Sequence, residues 1–265
     1  MSFVLRFWII TGLAAGLAAC GGQFIEPQMP STPTLNDSGR TGCADSAQTN
    51  LLCSLSEFPG QDAEFGRDSA AQRKTLVKLG SGEAGFDFTK LDAKGADLPD
   101  QSRTWLDNGS EQQGTRWSCV HDNTTGLYWE IKETLPAQPR YVLSTYSWYN
   151  TNPLQNGGGE GYANRGVCNQ ASCDTQSYVA AVNTLKLCGF SDWRLPRVGE
   201  LLSLAHHGRV DTAIEPHYFP EPIGLRHWTN SAHGNIPQLA WYVYFSDGSV
   251  SFTDKSNASY VRLVR

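Results

Sequence analysis

The first nineteen residues constrain everything downstream, because they decide the redox compartment in which the chain folds. MSFVLRFWIITGLAAGLAA places one charge, Arg6, before an uncharged apolar run from Phe7 to Ala19. That run is too short for a comfortable membrane span and has the proportions of a secretory leader, expected over residues 1–19. Export carries the rest of the chain to an oxidising environment, where cysteines pair. Seven cysteines are present, at 20, 43, 53, 119, 168, 173 and 188.

Leu17-Ala18-Ala19-Cys20 resembles the lipobox of bacterial lipoproteins, in which the cysteine thiol takes a diacylglycerol before cleavage. Cys20 is therefore the expected lipidation site, and the membrane an expected partner. Gly21 and Gly22 follow instead of Asp, which by resemblance to sorted lipoproteins favours the outer membrane, its face unassigned. Each methylene of an acyl chain adds about 0.8 kcal/mol of membrane affinity. With Cys20 assigned to lipid, six cysteines remain, enough for three disulfides among 15 possible pairings. Proximity suggests Cys43–Cys53 and Cys168–Cys173, leaving Cys119–Cys188 as the long-range staple. A metal site is the rival use of cysteine, but there is no CxxC pair and no cysteine stands near a histidine at finger spacing. No metal and no cofactor are expected.

Loss of the leader removes Arg6 and no acid, leaving 20 basic against 26 acidic residues, a net charge of −6. That mild acidity argues against nucleic acid as a partner. Residues 20–42 are rich in Pro, Ser, Thr, Gly and Asn without hydrophobic periodicity, the composition of a flexible tether. Residues 43–85 form an uncertain, disulfide-containing extension, either a small subdomain or a stapled continuation of the tether. From Phe86 the texture changes, and all seven tryptophans of the mature chain lie at or beyond Trp105, so the main core belongs to residues 86–265.

Within that span, WSCVHDNTTGLYWEIK predicts two short strands around an Asp-Asn-Thr-Thr-Gly turn. Residues 134–172 have no regular period, and a loop of that length is a functional surface or a mobile insert. CDTQSYVAAVNTLKLCG predicts a helix capped by Asp174 or Thr175, with Tyr178, Val179, Val182 and Leu185 inward and Gly189 as its stop. A second, shorter helix follows Pro196 and runs to about His206. AWYVYFSDGSVSFTDKSNASYVRLVR alternates at period two about Asp247-Gly248, which predicts a tight hairpin and a closing strand.

DNTTGLYWE, CGFSDWRLPRVGELLSL, WTNS, AWYVYFSDGSV and the terminal YVRLVR, in that order, resemble the Lcl C-terminal domain family, over roughly residues 86–265. The resemblance implies a disulfide-stapled α+β domain with a C-type-lectin-like fold, two main helices packed on twisted antiparallel strands, related to formylglycine-generating enzymes. The family includes the C-terminal domain of a collagen-like bacterial adhesin associated with sulfated polysaccharides and with host or biofilm surfaces. Polysaccharide or a surface protein is thus the implied partner, and adhesion or ligand binding without catalysis the implied role. The alternatives are a structural part in an envelope, secretion or pilus assembly, or an enzyme of the formylglycine-generating type, whose chemistry uses reactive cysteines with copper. Two departures stand out. Arg197 occupies the place where many members have a helix-capping Thr, and the collagen-like stalk is missing.

Trp193, Arg194, Leu195 and Pro196 read as architecture: core filling, a fixed helix start, and an Arg194–Glu200 strut. The histidines (121, 206, 207, 217, 227 and 233) form no HExxH, and no GxSxG elbow is present. Asp247, Asp254 and Asn257 offer oxygen ligands for calcium, but turn formation explains them more simply. For ligand binding the candidates are Tyr146, Trp148, Tyr149 and Tyr162, with Asn150, Asn152, Asn156 and Asn164 beside them. Aromatic faces stack on sugar C–H surfaces and carboxamides bond hydroxyls. Equally, such rings can close a core beneath the loop, and an irregular segment does not show which.

Overall fold

The computed structural model describes residues 35–265. The leader, Cys20 and most of the expected tether lie outside the described residues. Among the described residues, three short α-helices, α1 (Gly66–Gln72), α2 (Thr175–Leu185) and α3 (Val198–Leu202), accompany six strands in two antiparallel sheets. β1 (Phe88–Leu91), β2 (Cys119–Asp122) and β3 (Tyr128–Glu130) form the first sheet, with Leu91 opposite Cys119 and Cys119 opposite Glu130. β4 (Arg226–Ala232), β5 (Leu239–Tyr244) and β6 (Ser249–Asp254) form the second, with Trp228 opposite Tyr242 and Trp241 opposite Phe252.

The terminal segment unites the sheets without joining either as a named strand. Ser259 pairs with Tyr146, Tyr260 with His227, and Val264 with both Trp129 and Arg194. Two apolar clusters result. One gathers Phe86, Phe88, Trp117 and Trp129 under α3, and the other gathers Tyr146, Trp148, Tyr178, Trp193 and Trp228 against α2. Three disulfides, Cys43–Cys53, Cys119–Cys188 and Cys168–Cys173, are the pairs that proximity suggested.

α2 begins where Asp174 accepts the Ser177 N–H at 2.8 Å. It ends earlier than Gly189, because Lys186 turns left-handed (φ 51°) and a 3₁₀ turn over 187–189 brings Cys188 to its partner in β2. Leu185, the last residue of α2, is exposed rather than part of the buried face. The β5–β6 turn is wider than a two-residue primed turn. Tyr244 pairs with Ser249, and Gly248 donates its N–H to the Tyr244 carbonyl.

Residues 36–39, which composition alone assigns to the tether, are bound into the domain. Asn36 donates to Asp122 at 2.6 Å, and the Ser38 carbonyl accepts the His207 N–H at 2.8 Å. Buried Asp68 accepts the N–H groups of Gly39 and Gly85 at 2.7 and 2.6 Å, clamping both ends of the 43–85 extension. Short polar residues cap backbone here, which hydrophobic patterning does not register.

Candidate functional site

The Trp193-Arg194-Leu195-Pro196 step is built from the core outward. Trp193 is buried, donates its backbone N–H to the Asn183 carboxamide oxygen at 2.7 Å and donates its indole N–H to the Leu187 carbonyl at 3.0 Å. The next residue exchanges both backbone hydrogen bonds with Val264 at 2.9 Å. Leu195 and Pro196 are buried behind it. Arg194 then reaches Glu200 by two parallel bonds, Nη1 to Oε2 at 2.7 Å and Nη2 to Oε1 at 2.8 Å. Glu200 Oε2 also accepts the Arg197 N–H at 2.7 Å, closing the start of α3 that an arginine at the cap position leaves open. Burial pushes the Glu200 carboxyl up, but the Arg194 and Arg197 bonds outweigh it and hold the group below its ordinary value. Glu200→Ala is expected to cost about 1–2 kcal/mol of stability, measured by urea denaturation, since it removes a cap and a bidentate pair. Glu200→Gln should lose about half as much.

The strut is only part of the role of Arg194. Its side chain is 41% exposed and borders a cleft of about 250 Å³. Tyr149, Asn150 and Gln155 line it from the long loop, Thr175, Gln176 and Val179 from the first turns of α2, and Asn230 from β4. Thr175 fastens the loop to the helix, accepting the Tyr149 N–H at 3.0 Å and donating to the Tyr149 carbonyl at 2.9 Å. Gln176 Oε1 accepts the Thr151 N–H at 2.8 Å. Gly161 pairs with Tyr149 at φ +84°, and a Cβ there would lie 2.1 Å from the Trp148 carbonyl oxygen, so only glycine fits.

Of the aromatic and carboxamide candidates, the structure brings only Tyr149 and Asn150 to this cleft. Tyr146 and Trp148 are wholly buried and are not ligand contacts. Their segment is bridged on both edges, to Ser259 and to Asp174, so residues 146–148 all face protein. The Trp148 indole N–H donates to the Thr229 carbonyl at 2.8 Å, and the Trp228 indole N–H to that of Tyr146 at 2.8 Å. Lys255 lies 4.2 Å from the Trp148 ring centre and donates to the carbonyls of Asn156 and Gly159. Tyr162 carries the Arg165 guanidinium on its face, at 4.3 Å. Asn152 holds a turn by accepting the Leu154 N–H, Asn164 accepts that of Cys173, and buried Asn156 donates to the Asn150 carbonyl. The loop is therefore cross-braced, with one open margin at 149–155.

Sequence reading did not reach Gln155, Gln176 or Asn230. Gln176 stands in the first turn of a predicted helix and Asn230 in the WTNS motif, the two signals available. Asp247 and Asp254 accept the N–H groups of Ser249 and Ser256, and Asn257 donates to Thr253, which is turn chemistry. His227 is buried against Phe245, His121 stacks on Tyr128, and His217 meets Lys90 at 3.1 Å. Among the described residues, Asp37, Asp62 and Asp68 are the one trio with ligand atoms close enough for a metal, and Asp68 is occupied with backbone N–H groups.

Residues 118–265 match the family described as the Lcl C-terminal domain. The chain belongs to the Lcl C-terminal domain family. Neither the curated proteins nor the solved structures contain a match to it. Every residue lining the cleft falls inside the matched span. β1 and the 92–117 loop precede it, although motif order alone extends the likeness back to Phe86. β1 is nevertheless paired along its length with β2, so the Lcl C-terminal domain of this chain carries an additional edge strand ahead of the match.

Proposed function

We propose that this protein is a non-catalytic cell-envelope lipoprotein, held at the outer membrane by lipid on Cys20, whose Lcl C-terminal domain binds glycan or matrix ligands. The observation carrying this reading is the cleft of Tyr149, Asn150, Gln176, Arg194 and Asn230. It combines an aromatic ring with convergent polar groups on a braced scaffold, the usual make-up of a small-ligand site. A C-type-lectin-like fold is the finer reading of the α+β architecture. In its support, both ends of the described chain meet the β2–β3 hairpin, Asn36 through Asp122 and Arg265 through the Tyr128 N–H. The six cysteines from Cys43 to Cys188 are all in disulfides, which leaves none of them as the thiol that formylglycine-generating chemistry uses.

Full-length protein on a glycan and matrix-protein array is expected to give saturable signals that Tyr149→Ala lowers about tenfold, the loss of one stacked aromatic contact. A silent array, with a stable partner protein co-purifying from membranes, would replace this reading with a part in an envelope assembly.

A further inference from the structure

The hydrogen-bonding polarity of the cleft narrows its ligand. Three of the four carboxamide oxygens that line it already accept a bond from the protein, and that of the exposed Gln155 does not. Asn150 Oδ1 accepts the Asn152 N–H at 2.8 Å, and Gln176 Oε1 accepts the Thr151 N–H at 2.8 Å. Because a backbone N–H only donates, these bonds fix both amides with their NH₂ groups turned away from the loop backbone. Asn230 Oδ1 receives the Ser231 hydroxyl at 3.2 Å. Among the described residues, none of the three NH₂ groups has a protein partner. Thr175 is spent on Tyr149 in both directions. The cleft thus offers more donors than acceptors, with its one unbonded carboxamide oxygen on Gln155 at the exposed margin.

Its charge is also settled. Arg194 is the one ionic side chain lining it, and Glu200 neutralises that guanidinium bidentately from outside. An anionic ligand would lose water without meeting an unpaired cation, and a cation would meet no carboxylate. A sugar hydroxyl placed on the NH₂ groups would accept well, but its own O–H would have to turn to the exposed Gln155 oxygen or to water. A carbonyl oxygen accepts two bonds and carries no proton to satisfy.

We infer that the cleft takes uncharged, N-acetylated sugar units, with the acetamido carbonyl seated among the amides of Asn150, Gln176 and Asn230 and the sugar or methyl face on Tyr149. This rests on the glycan-binding reading above and specifies its ligand.

The test is calorimetric titration of the full-length protein with tri-N-acetylchitotriose, cellotriose and a heparin hexasaccharide. Tri-N-acetylchitotriose is expected to bind at least about tenfold more tightly than cellotriose, with little dependence on salt, since the pair differ by an acetamido group in place of each 2-hydroxyl. Gln176→Glu and Asn230→Asp exchange the donor for an acceptor at constant shape, and each should weaken tri-N-acetylchitotriose about tenfold. The first variant keeps the Thr151 bond and places an anion in the first turn of α2, where the helix dipole favours it, so its melting temperature should not fall. Equal affinity for cellotriose, preference for heparin, or full binding by both variants would overturn the inference while leaving a glycan-binding module. Binding of no saccharide would overturn both.

Discussion

Replacing Glu130 by alanine is expected to destabilise the domain by about 3–5 kcal/mol, because it strands two cations in the core. Glu130 is fully buried, and its two carboxylate oxygens are shared among Lys132, Tyr178 of α2 and Leu263 of the terminal segment. Oε1 accepts from Lys132 at 3.2 Å and from the Tyr178 hydroxyl of α2, while Oε2 accepts the Leu263 N–H at 3.0 Å. Arg262 completes the cluster by donating to the Glu130 carbonyl at 2.7 Å. Lys132 in turn donates to the Tyr178 hydroxyl at 2.6 Å and lies 4.2 Å from its ring centre. Burial pushes the Lys132 ammonium down to about 8 despite Glu130 beside it. The sign follows from that direction. Below about pH 8 both states hold the proton and the burial penalty is fully present. Between there and the ordinary value of 10.5 the unfolded chain holds more protons, so this group adds stability as pH rises. Thermal denaturation of Glu130→Ala should show a midpoint lower by roughly 6–20 °C. Glu130→Gln, which keeps the shape but not the charge, should fall between the variant and the parent. A loss below about 1 kcal/mol for Glu130→Ala would show that the cluster is not what joins β3, α2 and the terminal segment.

The second large effect concerns the staple between β2 and the end of α2. Cys119–Cys188 closes a loop of 69 residues in sequence separation, against 5 for Cys168–Cys173. Loop-closure entropy assigns about 4 kcal/mol to the first and about 2 kcal/mol to the second. The paired variant Cys119→Ala with Cys188→Ala should therefore melt roughly 8–16 °C lower, and the other pair about half as far. Calorimetry on both paired variants checks this. An equal drop for the two would place the stabilisation in local packing rather than in restriction of the unfolded chain.

Much of this framework is legible in the residues. Two cysteine pairs are suggested by proximity with the third as the remainder, Asp174 caps α2, and the Arg194–Glu200 strut follows from their positions around a helix start. These are local rules, short in sequence and strong in chemistry. The cleft is another matter. Tyr146 and Trp148 resemble surface candidates because their loop has no period, and their burial depends on Ser259, more than a hundred residues away. Arg194 looks wholly structural from its neighbours, and only the fold sets Tyr149, Gln176 and Asn230 around it. The 36–39 segment shows the converse. Its composition is that of a linker, yet Asp68 and Asp122 hold it in place through single polar bonds that carry no hydrophobic signature.

Ligand is expected to bind in the cleft, and amide hydrogen exchange tests that most directly. Full-length protein saturated with tri-N-acetylchitotriose should gain protection over residues 149–155, at the start of α2, and around Arg194 and Asn230, with the remaining surface unchanged. Saturable binding with protection elsewhere and none at these positions would contradict it.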